Sequence, residues 1–341
     1  MDKIMKAAIT LSKFNISVQE VSVPEPDENQ LLIEVKACGV CGTDHHIFSG
    51  QTRGNYPVVM GHEMSGVIRK TGAKTHDFKP DDRVAVDPNV FCNRCKYCHQ
   101  GQVNHCQNLE AIGVTQNGGF AEYVTVPASN VFLMPEEMSF ISGALMEPFS
   151  CILRGLEQIT INSEEKILIY GAGMIGIIMA QLIRKYYSSK IIIAETNKSR
   201  RRTAADLDFT VINSLDETFQ EQVTDYFNQP GADVIIDATG SQAAQRQALK
   251  LTTKGTRFLI FGVSKESSRI SISPYQIYEN ELKIVGSFLN PFTSEKSVEI
   301  ISNSRDLVLD ELVDKKLSLD DIPDFFAAED SNYLKAMFIK K

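Results

Sequence analysis

The chain of 341 residues is long enough for two domains of ordinary size, and its 43% hydrophobic and 23% charged residues are typical of a globular protein. Its formal net charge of −8 disfavours nucleic-acid and membrane-surface binding, because both need basic patches. The start, MDKIMKAAIT, lacks an apolar run of signal-peptide length, so we expect a cytoplasmic protein.

Up to about residue 140, the chain is predicted to form β-strands and loops, because short β-branched segments alternate with Pro, Gly, Asn and Asp. The predicted strands are AITL, ISVQEVSV, LLIEVKA, EMSGVI, RVAVD and FAEYVTV. The segment SFISGALMEPFSCILRGLEQI, which starts at Ser139, has apolar residues at helical spacing and is predicted to be a helix.

From Lys166 the pattern changes to apolar strands with helices between several of them, which indicates a parallel sheet covered on both faces. The strands are KILIY, KIIIAE, DVIIDAT, RFLIFGV and KIVGSF. The apolar stretch from Ile167 to Ile183 is short for a membrane span and contains Gln181, so we interpret it as a strand and a helix. The predicted fold class is α/β, with an irregular β-rich domain and a doubly wound domain.

Gly171, Gly173 and Gly176 form a GxGxxG motif after a strand and at the start of a helix. This context predicts a dinucleotide site rather than a merely structural glycine turn. Gly171 permits a tight turn, Gly173 lets a pyrophosphate approach the backbone, and Gly176 lets helix and strand pack closely. The first helical residues, Met174 and Ile175, are candidate cofactor-binding residues because their N–H groups face the phosphates.

Glu195 ends the next strand, where an acid accepts hydrogen bonds from a ribose 2′-hydroxyl and repels a 2′-phosphate. This favours NAD over NADP as the cofactor. A basic run follows, made of Lys198, Arg200, Arg201 and Arg202. We interpret this run as the solvated first turn of a helix, although it could also cradle a phosphate, and Arg200 is a further candidate cofactor-binding residue.

The seven cysteines are an odd number and suit metal binding in a reducing compartment better than disulfides. Four of them form a CxxCxxC motif followed, after seven residues, by another cysteine: Cys92, Cys95, Cys98 and Cys106. Four adjacent thiolates suit a closed, structural Zn²⁺ site. An iron–sulfur cluster is the alternative, but the ferredoxin pattern has a different last gap and a following proline. His99 and His105 are predicted to be exposed loop residues.

A second set of metal-binding residue types is dispersed along the chain. The segment KACGVCGTDHH is followed by His62 and Glu63 after a glycine turn, and later by Glu147 and Cys151. Spacing alone says only that a cysteine, a histidine and one or two carboxylates can form an open, catalytic zinc site. Cys151 lies one helical turn after Glu147 and is predicted to be a buried core thiol.

The motifs GVCGTDHH, GHE, CxxCxxC with its distant cysteine, GGFAEYV, MEP and GAGMIG occur here in the order found in zinc-dependent medium-chain alcohol dehydrogenases. The chain resembles this family over nearly its whole length. MEP in place of a cysteine ligand is most similar to the polyol branch, which contains sorbitol, xylitol and arabinitol dehydrogenases. The resemblance implies a GroES-like catalytic domain, a Rossmann domain, two zinc ions per chain and NAD.

The resemblance also implies the ligands of the catalytic zinc. Cys41 precedes Gly-Thr-Asp and matches the cysteine ligand, whereas Cys38 is expected to pack in the interior. His62 matches the histidine ligand. Glu63 is a ligand in some members and a neighbour of the ligands in others. Glu147 stands where alcohol dehydrogenases carry their last ligand, and it either binds zinc directly or binds through water.

Other residues are implied to support the chemistry. Asp44 matches the carboxylate that orients the histidine ligand. Thr43 and His46 match a proton relay, so the proton of a zinc-activated alcohol would leave through Thr43 and the cofactor ribose to His46. His45 has no assigned role. The implied reaction is oxidation of a secondary alcohol of a polyol to a ketose, with hydride transfer to NAD.

The resemblance leaves the substrate open. Thr115 is a candidate pocket residue, and Leu289 with Asn290 replaces an Arg-Tyr pair of sorbitol-type enzymes, which disfavours sorbitol itself. Other polyols, diols, threonine and sugar-alcohol phosphates remain alternatives. A metal-free quinone reductase would lack the Cys-His-Glu set, and a non-enzymatic redox sensor or lens-type structural protein would not need Thr43 and His46.

The same resemblance implies a domain division and an assembly. Residues 1–150 and 290–341 are expected to form the catalytic domain, and residues 151–289 the Rossmann domain. Members are usually homodimers or homotetramers and often pair the last Rossmann strand, here near KIVGSF. The expected partner is a small-molecule alcohol, with no nucleic acid or membrane.

Overall fold

The structure is a computed structural model that describes residues 4–51, 55–328 and 333–340. The chain divides into two compact units. One unit combines Met1–Ser150 with Asn290–Lys341, and the other is Cys151–Leu289. Within the described residues, no helix is both long and apolar enough to cross a membrane.

The N-terminal part of the first unit consists mainly of strands, in agreement with its β-branched segments. Its elements are β1 (Ile4–Ser12), β2 (Asn15–Ser22), β3 (Gln30–Gly39), α1 (Gly42–Phe48), β4 (Val58–Val59), β5 (Glu63–Thr71), β6 (Arg83–Val86), β7 (Asn89–Val90), α2 (Lys96–His99), β8 (Glu110–Ala111), β9 (Tyr123–Pro127), β10 (Val131–Leu133), α3 (Phe140–Ala144) and the start of α4 (Met146–Glu157). The rest of α4, from Cys151, belongs to the second unit. Short 3-10 turns lie at Val103–His105 and Ala128–Asn130.

Two of these elements differ from the sequence-based predictions. Residues 42–48 were expected to be β or loop, but they form α1, which Cys41 and Asp44 cap through a reciprocal capping box. The helix predicted from Ser139 is two helices, α3 and α4. Pro148 in the first turn of α4 has no N–H to donate to the preceding turn, so α3 cannot continue through it.

The second unit is a parallel sheet with helices between its strands. Its elements are β11 (Lys166–Tyr170), α5 (Met174–Tyr186), β12 (Lys190–Ala194), α6 (Lys198–Asp206), β13 (Thr210–Ile212), α7 (Phe219–Phe227), β14 (Ala232–Asp237), α8 (Gln242–Lys250), β15 (Thr252–Ile260), α9 (Pro274–Asn280) and β16 (Lys283–Gly286). The strand order is β13-β12-β11-β14-β15-β16, with every pairing parallel. This is the strand order of a dinucleotide-binding fold, and it confirms the predicted doubly wound domain.

The chain then returns to the first unit through α10 (Ser294–Asn303), β17 (Lys315–Leu317), α11 (Ile322–Ala327) and β18 (Ala336–Ile339), with 3-10 turns at Asp310–Leu312 and Leu319–Asp321. The largest sheet of this unit has the order β10-β6-β5-β3-β18-β17, and β9 also pairs with β3. The C-terminal strand β18 lies antiparallel to β3, with Met337 opposite Gly39 and Phe338 opposite Cys38. The end of the chain is therefore fixed against the strand that leads into Cys41.

Candidate metal centres and nucleotide site

The four-cysteine loop brings its sulfur atoms together. The Sγ atoms of Cys92, Cys95, Cys98 and Cys106 all lie within 4.8 Å of one another. Cys95 directly precedes the short helix α2 and Cys98 lies within it, and their sulfurs are 3.6 Å apart. His99 and His105 are exposed and lie outside this group.

The electrostatics of the loop favour a bound cation. Backbone hydrogen bonds, that of Arg94 first, lower the pKa of Cys92 to about 6. Desolvation and the neighbouring sulfurs of Cys95 and Cys106 raise the pKa of Cys98 to about 12. Four thiolates at this spacing repel one another, and a divalent cation removes that repulsion. The donor set fits a tetrahedral zinc whose positions are all filled by protein.

A second group is assembled from distant parts of the first unit. Donor atoms of Cys41, His62 and Glu63 lie within 4.8 Å of one another. Cys41 caps the start of α1, and His62 and Glu63 come at the start of β5. Gly61, with a φ of +93°, makes the turn before His62, and a β-carbon there would lie 2.7 Å from the sulfur of Cys38.

Asp44 connects the two halves of this group. Its Oδ2 accepts a hydrogen bond of 2.8 Å from the Cys41 N–H, and its Oδ1 accepts one of 3.3 Å from the Gly61 N–H. The same Oδ1 lies 3.5 Å from Nδ1 of His62. Burial alone would lower the pKa of His62, but Asp44 and Cys41 outweigh it and raise the pKa well above its ordinary value. The ring therefore has its Nδ1 directed at a carboxylate, as in metal-binding histidines.

Glu63 is fully buried and forms an ion pair with Lys335. Lys335 Nζ donates a hydrogen bond of 2.7 Å to Oε1, and it lies 2.5 Å from Oε2. The contact at Oε2 lacks hydrogen-bond geometry, so this buried oxygen stays available beside the Cys41 thiol and the His62 ring. The residues present therefore fit a zinc ion with one sulfur, one nitrogen and one oxygen donor.

The helix α1 also carries Thr43, His45 and His46, which follow Cys41 in the chain. The Thr43 hydroxyl is 3.9 Å from the Cys41 sulfur, and His46 is half-buried on the same helix. His45, which had no predicted role, has its Nε2 3.2 Å from the Tyr333 hydroxyl. Its ring also packs against Phe326, with the centroids 5.1 Å apart.

Glu147 does not join the three-residue group. It is buried in the first turn of α4, whereas the metal-binding group found among the described residues consists of Cys41, His62 and Glu63. Its assignment as a zinc ligand stays a prediction. Cys38 is fully buried in the hydrophobic core, and Cys151 is partly buried.

The glycine motif of the second unit has the geometry of a phosphate-binding turn. Gly171 has a φ of +104°, and a β-carbon on Gly176 would lie 1.9 Å from the Gly171 carbonyl oxygen. A β-carbon on Gly173 would meet nothing within 4 Å, so the approach to the backbone there is open. Met174 and Ile175 form the first turn of α5, where N–H groups lack helical partners.

The Glu195 carboxylate is buried and connects two loops. Its Oε2 accepts a hydrogen bond of 2.8 Å from the Ala172 N–H in the glycine turn, and its Oε1 accepts one of 2.8 Å from the Asn197 N–H. Asn197 caps α6 by accepting from the Arg200 N–H. The acid therefore lies beside the glycine turn, and the first turn of α6 carries the basic run.

Comparisons with known proteins identify the family of the chain. The family model "Alcohol dehydrogenase GroES-like domain" matches residues 27–136, and the model "Zinc-binding dehydrogenase" matches residues 174–303. The chain is 32% identical to D-arabinitol dehydrogenase 1 of Uromyces fabae, over 85% of this chain and 84% of that protein. It is 30% identical to the sorbitol dehydrogenase of Bacillus subtilis (strain 168), over 88% of this chain and 86% of that protein.

A solved structure is also similar over the full length. A protein from Sinorhizobium meliloti 1021, assigned as a zinc-binding dehydrogenase and bound to NADP, superposes with a TM-score of 0.94 at 32% identity. The superposition covers 99% of this chain and 100% of that one. This chain is a zinc-dependent medium-chain dehydrogenase. It belongs to the polyol dehydrogenase branch, as an oxidoreductase that acts on CH–OH groups with zinc and a nicotinamide cofactor, and the predicted family and fold class are confirmed.

The two predicted substrate residues of this dehydrogenase have distinct surroundings. Thr115 is half-buried, and its hydroxyl accepts a hydrogen bond of 2.9 Å from the Ala111 N–H within a tight turn. Leu289 is the last residue of the second unit and has a φ of +58°. Asn290 is buried, and its amide donates to the Ser150 hydroxyl at 2.6 Å. The Asn290 side chain is therefore hydrogen-bonded within the interior of the first unit.

Lys335 is a residue of this site that the sequence alone does not indicate. It lies directly before β18 and is a lysine with only 5% of its surface exposed. A charged residue next to the apolar run AMFI is a weak signal, because such a lysine usually marks the exposed start of a strand. Its partner Glu63 is 272 residues away in the chain, so only the fold shows the pair.

Proposed function

We propose that this dehydrogenase oxidises a secondary alcohol of a polyol to a ketose and transfers the hydride to NAD. The observation that carries the proposal is the convergence of Cys41, His62 and Glu63 in a chain whose other unit has an open glycine turn. The first group offers three donors, which leaves a fourth zinc position for a substrate oxygen. The four-cysteine loop would hold the second zinc of each chain in a closed site.

Zinc bound at the three-residue group would act as a Lewis acid that makes the substrate hydroxyl easier to deprotonate. Asp44 supports this chemistry by holding the His62 ring and the Cys41 backbone at once. Thr43 lies beside the Cys41 sulfur, so its hydroxyl can accept the proton that leaves the alcohol while it releases its own hydroxyl proton towards His46. His46, half-buried further along α1, passes the proton to solvent.

Glu195 supports NAD as the acceptor. Its buried carboxylate stands beside the glycine turn, so a 2′-phosphate placed there would meet a fixed negative charge. Met174, Ile175 and the three motif glycines would bind the pyrophosphate, and Arg200 would lie near the adenosine end. The Sinorhizobium relative was solved with NADP, so rates with both cofactors are needed in the test.

The named relatives support a polyol substrate, because one is an arabinitol and another a sorbitol dehydrogenase. Thr115, Leu289 and Glu147 remain the candidate residues for contacts to the substrate or the zinc. Leu289 stands where the resemblance implies the hydroxyl-binding arginine of sorbitol-type enzymes, so we favour a polyol other than sorbitol.

We also propose a cytoplasmic homodimer or homotetramer. Within the part of the chain that the structure describes, none of the seven cysteines is in a disulfide, and both metal groups need reduced thiolates, which a reducing compartment provides. β16 is an edge strand of its sheet and exposes Ile284, with Phe288 56% exposed shortly after it. Pairing of two such edges would bury these apolar side chains and satisfy the strand's free backbone groups.

The proposal is tested by following NADH and NADPH formation over a panel of pentitols, hexitols, their phosphates, 2,3-diols and threonine. We expect the highest kcat/KM with NAD and a polyol, and no turnover in the Cys41→Ser variant. Full activity after complete zinc removal would overturn the zinc chemistry. A clear preference for a diol or threonine would overturn the substrate class alone.

A further inference from the structure

The ammonium group of Lys335, paired with Glu63, is a buried positive charge beside the three-residue metal group. The side chains of Lys335 and Glu63 are only 6% and 1% exposed. Burying an ammonium group is costly unless an anion compensates it, and here the acidic residues of the metal group supply that charge. The lysine therefore pairs with the Glu63 carboxylate, which is also a candidate zinc ligand.

Both oxygens of Glu63 lie close to the ammonium group of Lys335. Nζ donates a hydrogen bond of 2.7 Å to Oε1 and lies 2.5 Å from Oε2, which is completely buried. A β-carbon on Gly39 would lie 2.0 Å from Oε2 and 3.0 Å from Cε of Lys335. The carboxylate thus has little room to turn, and its orientation is set by the ammonium group on one side and the β3 backbone on the other.

The backbone fixes the position of the lysine. The Val40 N–H donates to the Ala336 carbonyl at 2.9 Å, and Met337 pairs with Gly39. The Lys335 N–H donates to the Asp314 carboxylate at 3.2 Å. Sheet pairing therefore holds Lys335 in the strand region that leads into Cys41, rather than on a loose tail.

We propose that Lys335 is a positioning residue that competes with zinc for the Glu63 carboxylate and so weakens Glu63 as a ligand. This inference rests on the proposed function of the Cys41 group as a zinc site. Zinc can take a Glu63 oxygen only by sharing it with the ammonium group. Because the carboxylate is shared, Glu63 binds the zinc less tightly. The substrate position on the zinc is then easier to fill and to vacate.

The test compares zinc affinity by chelator competition in the wild type, Lys335→Met and Lys335→Arg. Zinc retained by Cys41→Ser is subtracted, which isolates this site from the four-cysteine loop. Removing a charge-assisted competitor should tighten zinc binding about tenfold in Lys335→Met and slow zinc release equally, and Lys335→Arg should restore the wild-type values. In the same comparison kcat should fall in Lys335→Met, while the wild-type KM is retained.

Two controls separate this effect from damage to the fold. Lys340→Met breaks another ion pair near the C-terminus, that of Lys340 Nζ with Glu34 Oε1 at 2.8 Å, and should leave zinc affinity unchanged. Glu63→Gln with Lys335→Met removes both charges and should lose the tightening, because the gain acts through the carboxylate. Unchanged or weaker zinc binding in Lys335→Met would overturn the inference. If the wild type and Cys41→Ser hold the same zinc, the proposed function fails with it.

Discussion

The two metal groups of the first unit differ in how the chain assembles them. The four cysteines lie in one loop, residues 92–106, and offer four equal sulfur donors. Cys41, His62 and Glu63 come from the start of a helix and the start of a strand, and they offer three unlike donors. The first arrangement is closed by its own ligands, and the second depends on the surrounding fold and leaves a position open.

With the proposed roles, the difference indicates that a stabilising zinc site and a reactive zinc site impose different demands on the chain. A loop that folds around its own ion needs little from outside, so its ligands can be adjacent in the chain. The three-residue group is held by Asp44, by the turn at Gly61 and by Lys335. We therefore expect mutations to separate activity from stability between the two groups.

The largest effect is expected for Cys41→Ser and His62→Ala. Each removes a zinc donor at the open site, so turnover should fall at least about 10³-fold, because loss of a preorganised electrostatic group already costs about 10²- to 10³-fold. NAD affinity and one zinc per chain should remain. Steady-state rates, cofactor fluorescence and metal analysis check this, and a variant with a tenth of the wild-type rate would contradict the assignment.

Cys95→Ser should affect the other group in the opposite way. With three sulfurs left, the loop binds its ion weakly, and a loss of several kcal/mol would lower the melting temperature by about 10 °C. Turnover per folded molecule should stay within a few-fold of the wild type. Calorimetry with active-site titration measures both quantities. An unchanged melting temperature would mean that this loop does not stabilise the fold.

The next prediction concerns the ion-pair cluster around Glu34, which serves as a comparison for the two metal groups. Burial would raise the pKa of Glu34, but hydrogen bonds from Lys340, Lys36 and Arg69 lower it from 4.5 to about 2. The folded state then binds fewer protons than the unfolded chain, so the stabilisation is complete above pH 4.5 and is lost as the pH falls towards 2. Because water and salt screen the partly exposed cationic neighbours, we expect it to be on the order of 1 kcal/mol.

Glu34→Gln tests this cluster directly. Its unfolding free energy should be lower than that of the wild type at pH 7, and the difference should shrink as the pH falls towards 2. Denaturant titrations at several pH values give both numbers. A difference that is constant with pH would show that the Glu34 carboxylate is not stabilised by its cationic neighbours.

The smallest effect is expected in the second unit. Glu195→Gln removes the charge that we propose binds the ribose of NAD, and the loss of charge-assisted hydrogen bonds should raise the KM for NAD by about tenfold or more while narrowing the preference for NAD over NADP. Initial rates with both cofactors decide this. The melting temperature serves as the control, because Glu195 also binds the glycine turn. An unchanged ratio of the two kcat/KM values would contradict the proposed role.

The same contrast explains which of the candidate sites could be predicted from the sequence. The four-cysteine loop and the glycine motif are local, so spacing alone indicated both sites. The dispersed group needed the family resemblance, because no spacing rule joins Cys41 to His62. Lys335 could not be predicted, since the register of β18 against β3 decides which residue reaches Glu63.

Secondary structure was predicted well in segments where a single pattern of apolar residues dominates. The strands of the second unit are continuous apolar runs, and all five predicted strands are present, together with the shorter β13. The helix α1 was missed because it has seven residues and depends on side-chain caps rather than on an apolar face. The division between α3 and α4 was missed because the helical period continues across Pro148, whose missing N–H ends the first helix.

The central claim is that Cys41, His62 and Glu63 hold a zinc ion at an open site. A crystal structure of the purified enzyme with diffraction data collected on both sides of the zinc absorption edge tests it most directly. We predict two anomalous peaks per chain, one among the four sulfurs of residues 92–106 and one within bonding distance of Cys41 Sγ, a His62 ring nitrogen and a carboxylate oxygen. A fully active enzyme with no peak at the second position would contradict the account.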